Sequence, residues 1–146
     1  MVLIKFKPLT EQEEWDVFKD KTHTIRCEDT QGIVAVDEEG NIQGMLVADS
    51  FSHDSCNVHM FVDNPLLLRH GFLHEVARHL FITCGRHHIF GLVPANNKKA
   101  LRFDKHIGFK EVARIPDGVG TGTDYVVLRM DKEECPWLDK EIREAA

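Results

Sequence analysis

The stretch from residue 57 to residue 93 constrains the fold of this chain most. It opens with a β-rich run at 57–62 and breaks at Asp63-Asn64-Pro65. It then sets apolar side chains at 68, 72, 73, 76, 77, 80 and 81. That spacing is the 3.6-residue period of an amphipathic helix and predicts one helix over 68–84, ended by Gly85. A short apolar strand follows at 88–93, closed by Pro94. Strand, helix and strand in that order predict a crossover unit with parallel pairing, which needs a sheet with a helix on its face.

The flanking segments extend that unit. A strand is expected at 2–7. Thr10-Glu11-Gln12-Glu13 reads as a capping box, with Thr10 as N-cap, opening a helix that runs to about Lys21. Its apolar face is Trp15, Val17 and Phe18. The runs 32–36 and 42–48 form a hairpin around Asp37-Glu38-Glu39-Gly40-Asn41. After residue 94 a second helix is expected at 96–106, with Asn96 or Asn97 as N-cap and Gly108 past its end. A strand at 109–115, a loop rich in Gly and Thr at 116–123 and a last strand at 124–130 follow. A polar helix from about Trp137 closes the chain. The expected fold class is α/β (α+β): a mixed, mostly antiparallel sheet of six to seven strands flanked by helices. It forms one domain over 1–146, with 132–146 as a C-terminal helical extension.

Charge and composition narrow the function. The 146 residues carry 18 Lys and Arg against 24 Asp and Glu, a net charge of −6. An acidic chain lacks the basic field of a general nucleic-acid binder or an anionic-membrane binder. No apolar run approaches the ~20 residues that span a bilayer, and the first residues do not read as a secretory signal. A cytoplasmic location with reduced thiols is therefore expected. The four cysteines, at 27, 56, 84 and 135, make no C-x-x-C pair. Among nine histidines, His74-Glu75-Val76-Ala77-Arg78 lacks the second His of a zinc helix, and no metal is expected.

Two local patterns carry chemistry. In the first, a strand ending at Val62 leads through Pro65 to Arg69-His70-Gly71-Phe72-Leu73 at a helix start. The first N–H groups of a helix have no internal partner and attract anions, and Gly71 keeps bulk away from them. In the second, Asn97-Lys98-Lys99-Ala100-Leu101-Arg102-Phe103-Asp104-Lys105-His106-Ile107-Gly108-Phe109 is a capped, basic helix that runs into a strand. Ala100, Phe103 and Ile107 form its inner stripe.

The second pattern resembles the "N-x-x-A-x-x-x-Y-x-x-x-G-F" block of the GNAT N-acetyltransferase superfamily, through Asn97, Ala100, Gly108 and Phe109. Pro65 and Gly71 match the family's "P-x-x-R-x-x-G-x-G" acetyl-CoA loop. The resemblance covers about residues 2–131, and the short, divergent chain is also similar to unassigned GNAT-like proteins of tailed bacteriophages. Three family positions differ. The loop Arg falls on Leu68, with Arg69 adjacent; the second Gly falls on Leu73; and the family's Tyr, a general acid at the leaving sulfur, falls on Asp104. A carboxylate titrating near ~4 would be ionised there unless burial raised it.

The resemblance implies acetyl-CoA as cosubstrate and an amine as acceptor, expected to be cationic given the acidic chain. It implies pyrophosphate binding by the amides of Arg69, His70, Gly71, Phe72 and Leu73. The main chain of Phe61 and Val62 would hold the acetyl and pantetheine groups, and Asn97 and Arg102 would lie near the CoA. Direct attack by an amine needs a base, for which His59 is the candidate, since imidazole titrates near pH ~6.5. Asp104 or Tyr125 would supply the proton to the leaving thiolate. The alternative is a catalytically degenerate relative that binds acyl-CoA or a protein partner. The sequence leaves the acceptor unnamed and the oligomeric state open, a homodimer included. The segment 116–123 is expected to be a mobile hairpin connection or a lid over the acceptor. In the second case Asp117, Thr121 and Thr123 would meet the amine.

Overall fold

The computed structural model describes residues 3–144. The start of the strand expected at 2–7 and the end of the 132–146 extension lie outside them. Seven strands form one mixed sheet: β1 (Lys5–Pro8), β2 (Gln31–Val36), β3 (Ile42–Asp49), β4 (Ser55–Val62), β5 (His88–Pro94), β6 (Lys110–Gly120) and β7 (Thr123–Asp131). Their order across the sheet is β1-β2-β3-β4-β5-β7-β6. The crossover pair β4–β5 is parallel and the other neighbours are antiparallel.

Helix α1 (Gln12–Thr22) covers one face, over a core of Leu9, Trp15, Phe18, Val34, Met45 and Val47. The other face carries the larger core, under α2 (Phe72–Ala77) and α3 (Lys98–Ile107). Strands β2 and β3 are therefore buried on both sides. This explains why Ile33-Val34-Ala35-Val36 and Met45-Leu46-Val47-Ala48 are continuous apolar runs rather than alternating ones. The two strands approach closely at Gly32, where a Cβ would stand 2.1 Å from the Leu46 carbonyl oxygen.

Several expected elements are corrected. The cap of α1 is Glu11, not Thr10. The Glu11 N–H donates to Glu14 Oε1 at 3.0 Å, in a box shifted one residue along the chain. Glu14 is buried and paired to Lys7 at 2.7 Å. Burial raises its pKa, but Lys7 and the Glu11 and Thr10 amides outweigh that, and its carboxyl titrates below the usual range. The single helix expected at 68–84 is three pieces: a 3₁₀ turn at Pro65–His70, α2, and a π-helical stretch at Arg78–Thr83. Gly71, at φ 83°, makes the joint that an L side chain rarely makes. The apolar period survives, because Phe72, Leu73, Val76, Ala77, Leu80 and Phe81 are all buried.

The loop expected at 116–123 is instead the continuation of a hairpin. β6 runs to Gly120, and the turn lies between Gly120 and Thr123. Side chains hold the arm together: Gly122 N–H donates to Asp117 Oδ1 at 2.8 Å, and Asp117 N–H donates to Asp124 Oδ1 at 3.0 Å. The helix expected from Trp137 begins later, as α4 (Lys140–Glu144), after a 3₁₀ turn at Lys132–Glu134. Trp137 is a clasp instead. Its Nε1–H donates to the Ile107 carbonyl at 2.8 Å, and its own carbonyl accepts from His74 Nδ1 at 3.0 Å. It thereby ties α2 to α3.

Candidate functional site

Strands β4 and β5 pair only over Ser55↔His88, Cys56↔Ile89 and Asn57↔Phe90. β4 stays with β3 as far as Gly44↔Val62, while β5 stays with β7 as far as Pro94↔Tyr125. The two strands therefore part after Asn57 and Phe90. Alternate main-chain groups of 58–62 on that side have no strand opposite them, and Phe61 and Val62 lie where the opening is widest. A buried strand edge without a neighbour is a place for an extended ligand to hydrogen-bond.

His59 stands on β4 beside this opening, on the α1 face. It pairs in register with Val47, and Asp49 lies two residues further along β3, on the same face. His59 Nε2 and Asp49 Oδ2 are 3.0 Å apart. Asp49 is 5% exposed, and the His59 side chain is 26% exposed. A carboxylate only accepts, so Nε2 carries the hydrogen, and in the neutral ring Nδ1 then keeps its lone pair. The Phe18 ring meets the imidazole edge-on at 5.9 Å and fixes its plane. His59 is therefore a hydrogen-bonded histidine whose ring is held by Asp49 and Phe18. Asp49, the partner of this candidate, is not among the residues that the sequence singles out. Its signal is a strand register, which local motifs do not encode.

Asp104 lies on α3, whose Ala100, Leu101 and Phe103 pack on the larger core. Burial alone pushes its carboxyl up to about 6. The carboxylate expected to be ionised at neutral pH thus keeps a usable protonated fraction. Tyr125 is on the other face of the sheet, opposite Ile115 and Pro94, since its neighbour Val126 points into the larger core. The two candidate acids are not interchangeable: Tyr125 shares the His59 face, and Asp104 the opposite one. Cys56 is no competitor as a nucleophile, because burial raises its thiol to about 12.

Gly71 faces open space, where a Cβ would find nothing within 4 Å. Phe72 and Leu73 are buried as whole residues, 0% and 4% exposed, main chain included. The Leu73 side chain, where the family has Gly, packs in the larger core. Arg69, Lys98, Lys99 and Arg102 are exposed. Asn97 caps α3, its Oδ1 accepting from the Ala100 N–H at 3.2 Å. An apolar cavity of about 20 Å³ lies on the same side of the sheet, lined by Val58, Met60, Leu73, Val76, Ile107 and Trp137 among others.

No family sequence model matches the chain, and no curated protein matches it in sequence. Solved structures do match it. A spermidine N-acetyltransferase SpeG variant from Vibrio cholerae superposes with a TM-score of 0.75 at 12% identity, over 94% of this chain and 98% of that one. An Acinetobacter baylyi protein described as an acetyltransferase gives 0.71 at 16%, over 95% and 98%. A Desulfovibrio desulfuricans protein described as a GNAT-family acetyltransferase gives 0.70 at 12%, over 88% and 99%. The fold is that of the GNAT acyl-CoA N-acyltransferases.

Proposed function

We propose that this chain is an acetyl-CoA-dependent N-acetyltransferase that acetylates a primary amine by direct attack in a ternary complex. The observation that carries the reading is the opening between β4 and β5, with the Asp49-held imidazole of His59 on one face and the protonatable carboxyl of Asp104 on the other. In this reading acetyl-CoA enters from the α2–α3 side, its pyrophosphate on the amides of 69–73 and its phosphates within reach of Arg69 and Arg102. The thioester lies along the free edge at Phe61 and Val62.

The amine approaches from the α1 face. His59 Nδ1 takes the proton of the cationic acceptor, and the freed nitrogen attacks the thioester carbonyl. The carbon–sulfur bond breaks, the departing thiolate, whose free pKa is ~8.5, takes a proton from neutral Asp104, and the attacking nitrogen gives up its second proton to solvent as the amide forms. At pH 7 a carboxyl titrating near 6 is about one-tenth protonated. That fraction serves a leaving group that needs only modest help. The structural neighbours, a spermidine N-acetyltransferase among them, agree with amine acetylation. A cytoplasmic location belongs to this reading; among the described residues no helix is long and apolar enough to cross a membrane.

Calorimetry with acetyl-CoA, followed by an amine screen that detects free CoA thiol, tests the proposal. Binding with amine-dependent thiol release supports it. Binding without release under any amine would favour a degenerate relative that binds acyl-CoA, and absence of binding refutes the acetyltransferase reading and leaves only a degenerate relative that binds a protein partner.

A further inference from the structure

The apolar cavity of about 20 Å³ lies against the narrow end of the opening between β4 and β5. On the sheet it is lined by Val58 and Met60 of β4 and Ile89 of β5. Val76 of α2, Ile107 of α3 and Trp137 line it from above. The strands part after Asn57 and Phe90, so Val58 and Met60 are the first two residues of β4 past the parting that pack on the larger core. Ile89, level with Cys56, comes just before it. The cavity therefore sits on the α2–α3 face of the point where the two strands rejoin.

Its chemistry selects an occupant. Only the Cys135 thiol and the Trp137 indole interrupt a hydrocarbon and thioether lining, and the indole N–H already donates to the Ile107 carbonyl at 2.8 Å. A water there would find too few partners, and a space of this size admits about one or two carbon atoms. Met60 and Met130, both in the lining, are unbranched and yield to a guest. Val76 and Ile107 are 7% and 3% exposed, so the space is not a surface groove.

In the acetyltransferase reading the other directions at the thioester carbon are taken. The sulfur leads out through the wide end toward the α2–α3 side, the carbonyl oxygen meets the free strand edge, and the amine comes from the α1 face. The acyl tail is left the direction along the opening toward Asn57 and Phe90, where the cavity lies. We propose that the site takes acyl groups one or two carbons longer than acetyl, with the added carbons in this cavity, so that propionyl- and butyryl-CoA are donors. The inference rests on the acetyltransferase reading and deepens it by naming the donor class. Each methylene moved from water into the cavity is worth about fourfold in affinity.

The test is calorimetry of the full chain with acetyl-, propionyl-, butyryl- and hexanoyl-CoA. Propionyl-CoA is expected to bind about fourfold more tightly than acetyl-CoA, and butyryl-CoA at least as tightly as propionyl-CoA. Hexanoyl-CoA should bind more weakly than butyryl-CoA, because the cavity is then overfilled. Val76→Ile puts one carbon into the space and should weaken butyryl-CoA at least about fourfold while leaving acetyl-CoA unchanged. Ile107→Val removes one carbon from another wall and should strengthen hexanoyl-CoA relative to butyryl-CoA. Urea unfolding reports whether each variant is folded; if Val76→Ile is not, Ile107→Val decides alone. Equal affinity for all four esters, tightest binding of hexanoyl-CoA, or a chain-length order that no folded variant alters overturns the inference and leaves the acetyltransferase reading standing. The space is then a packing void. If no CoA ester binds at all, that reading fails and the inference falls with it.

Discussion

Replacing Asp104 with Asn should make the protein more stable and less active, with a pH signature that identifies the cause. Burial raises this carboxyl from 3.8 to about 6. Ionising it in the folded chain therefore costs about 3 kcal/mol more than in the unfolded chain, at 1.36 kcal/mol for each pH unit. Below about pH 4 the group is protonated in both states and contributes no difference. Between about 4 and 6 the unfolded chain sheds the proton first, so stability falls as pH rises. Above about 6 the whole penalty of about 3 kcal/mol is present. Asn has nearly the same shape and never ionises. Asp104→Asn is thus expected to gain up to about 3 kcal/mol in urea unfolding followed by circular dichroism at pH 7.5, and the gain should shrink to near zero at pH 4. In the proposed mechanism kcat should also drop at neutral pH, because the variant has no acid for the leaving thiolate. A gain of equal size at pH 4 and 7.5, or a loss of stability at pH 7.5, would refute the reasoning that burial holds this group protonated.

Three further outcomes are expected. Gly71→Glu should stay folded, since its Cβ enters open space, at a cost of about 1–2 kcal/mol for a left-handed backbone; acetyl-CoA affinity by calorimetry should fall at least tenfold, and unchanged affinity removes the segment 69–73 as the pyrophosphate site. His59→Gln should leave acetyl-CoA affinity intact and abolish the neutral limb of the pH–rate profile; a retained limb puts the base elsewhere. Gly32→Ala drives a Cβ to 2.1 Å from the Leu46 carbonyl, between two fully buried strands. A loss of more than about 2 kcal/mol in urea unfolding is expected, and a near-neutral result would mean that β2 and β3 can move apart.

The fold was legible where periodicity and punctuation act locally. The apolar stripe from Phe72 to Phe81, the Asn97 cap and the Gly108 stop of α3, and the hairpin around Asp37–Asn41 are found close to where the sequence puts them. It was less legible where one side chain settles between near-equal options. Thr10 and Glu11 can both cap α1, and pairing of Glu14 with Lys7 is the non-local contact that accompanies the Glu11 cap. The glycines of 116–123 look like a loop because their φ angles are unconstrained, yet the carboxylates of Asp117 and Asp124 supply the bonds that keep the arm a hairpin. For the candidate site, His59 could be nominated from its place beside Phe61. Asp49 could not, because a partner ten residues away enters only through the β3–β4 register. The pKa of Asp104 depends on how deeply α3 packs, which composition does not report.

The chain has two tryptophans, and the sheet separates them. Trp15 lies in the core beneath α1 with Arg26 over its ring, and its Nε1 has no hydrogen-bond partner among the described residues. Trp137 lies between α2 and α3 with the His74 ring edge-on at 5.7 Å. Each face thus contains its own optical probe, set in a different electric environment: a guanidinium on one side, an imidazole on the other. Emission from a chain that keeps only Trp137 reports on events at the α2–α3 side, and emission from one that keeps only Trp15 reports on the α1 side. The order in which two substrates arrive becomes a matter of which indole changes first.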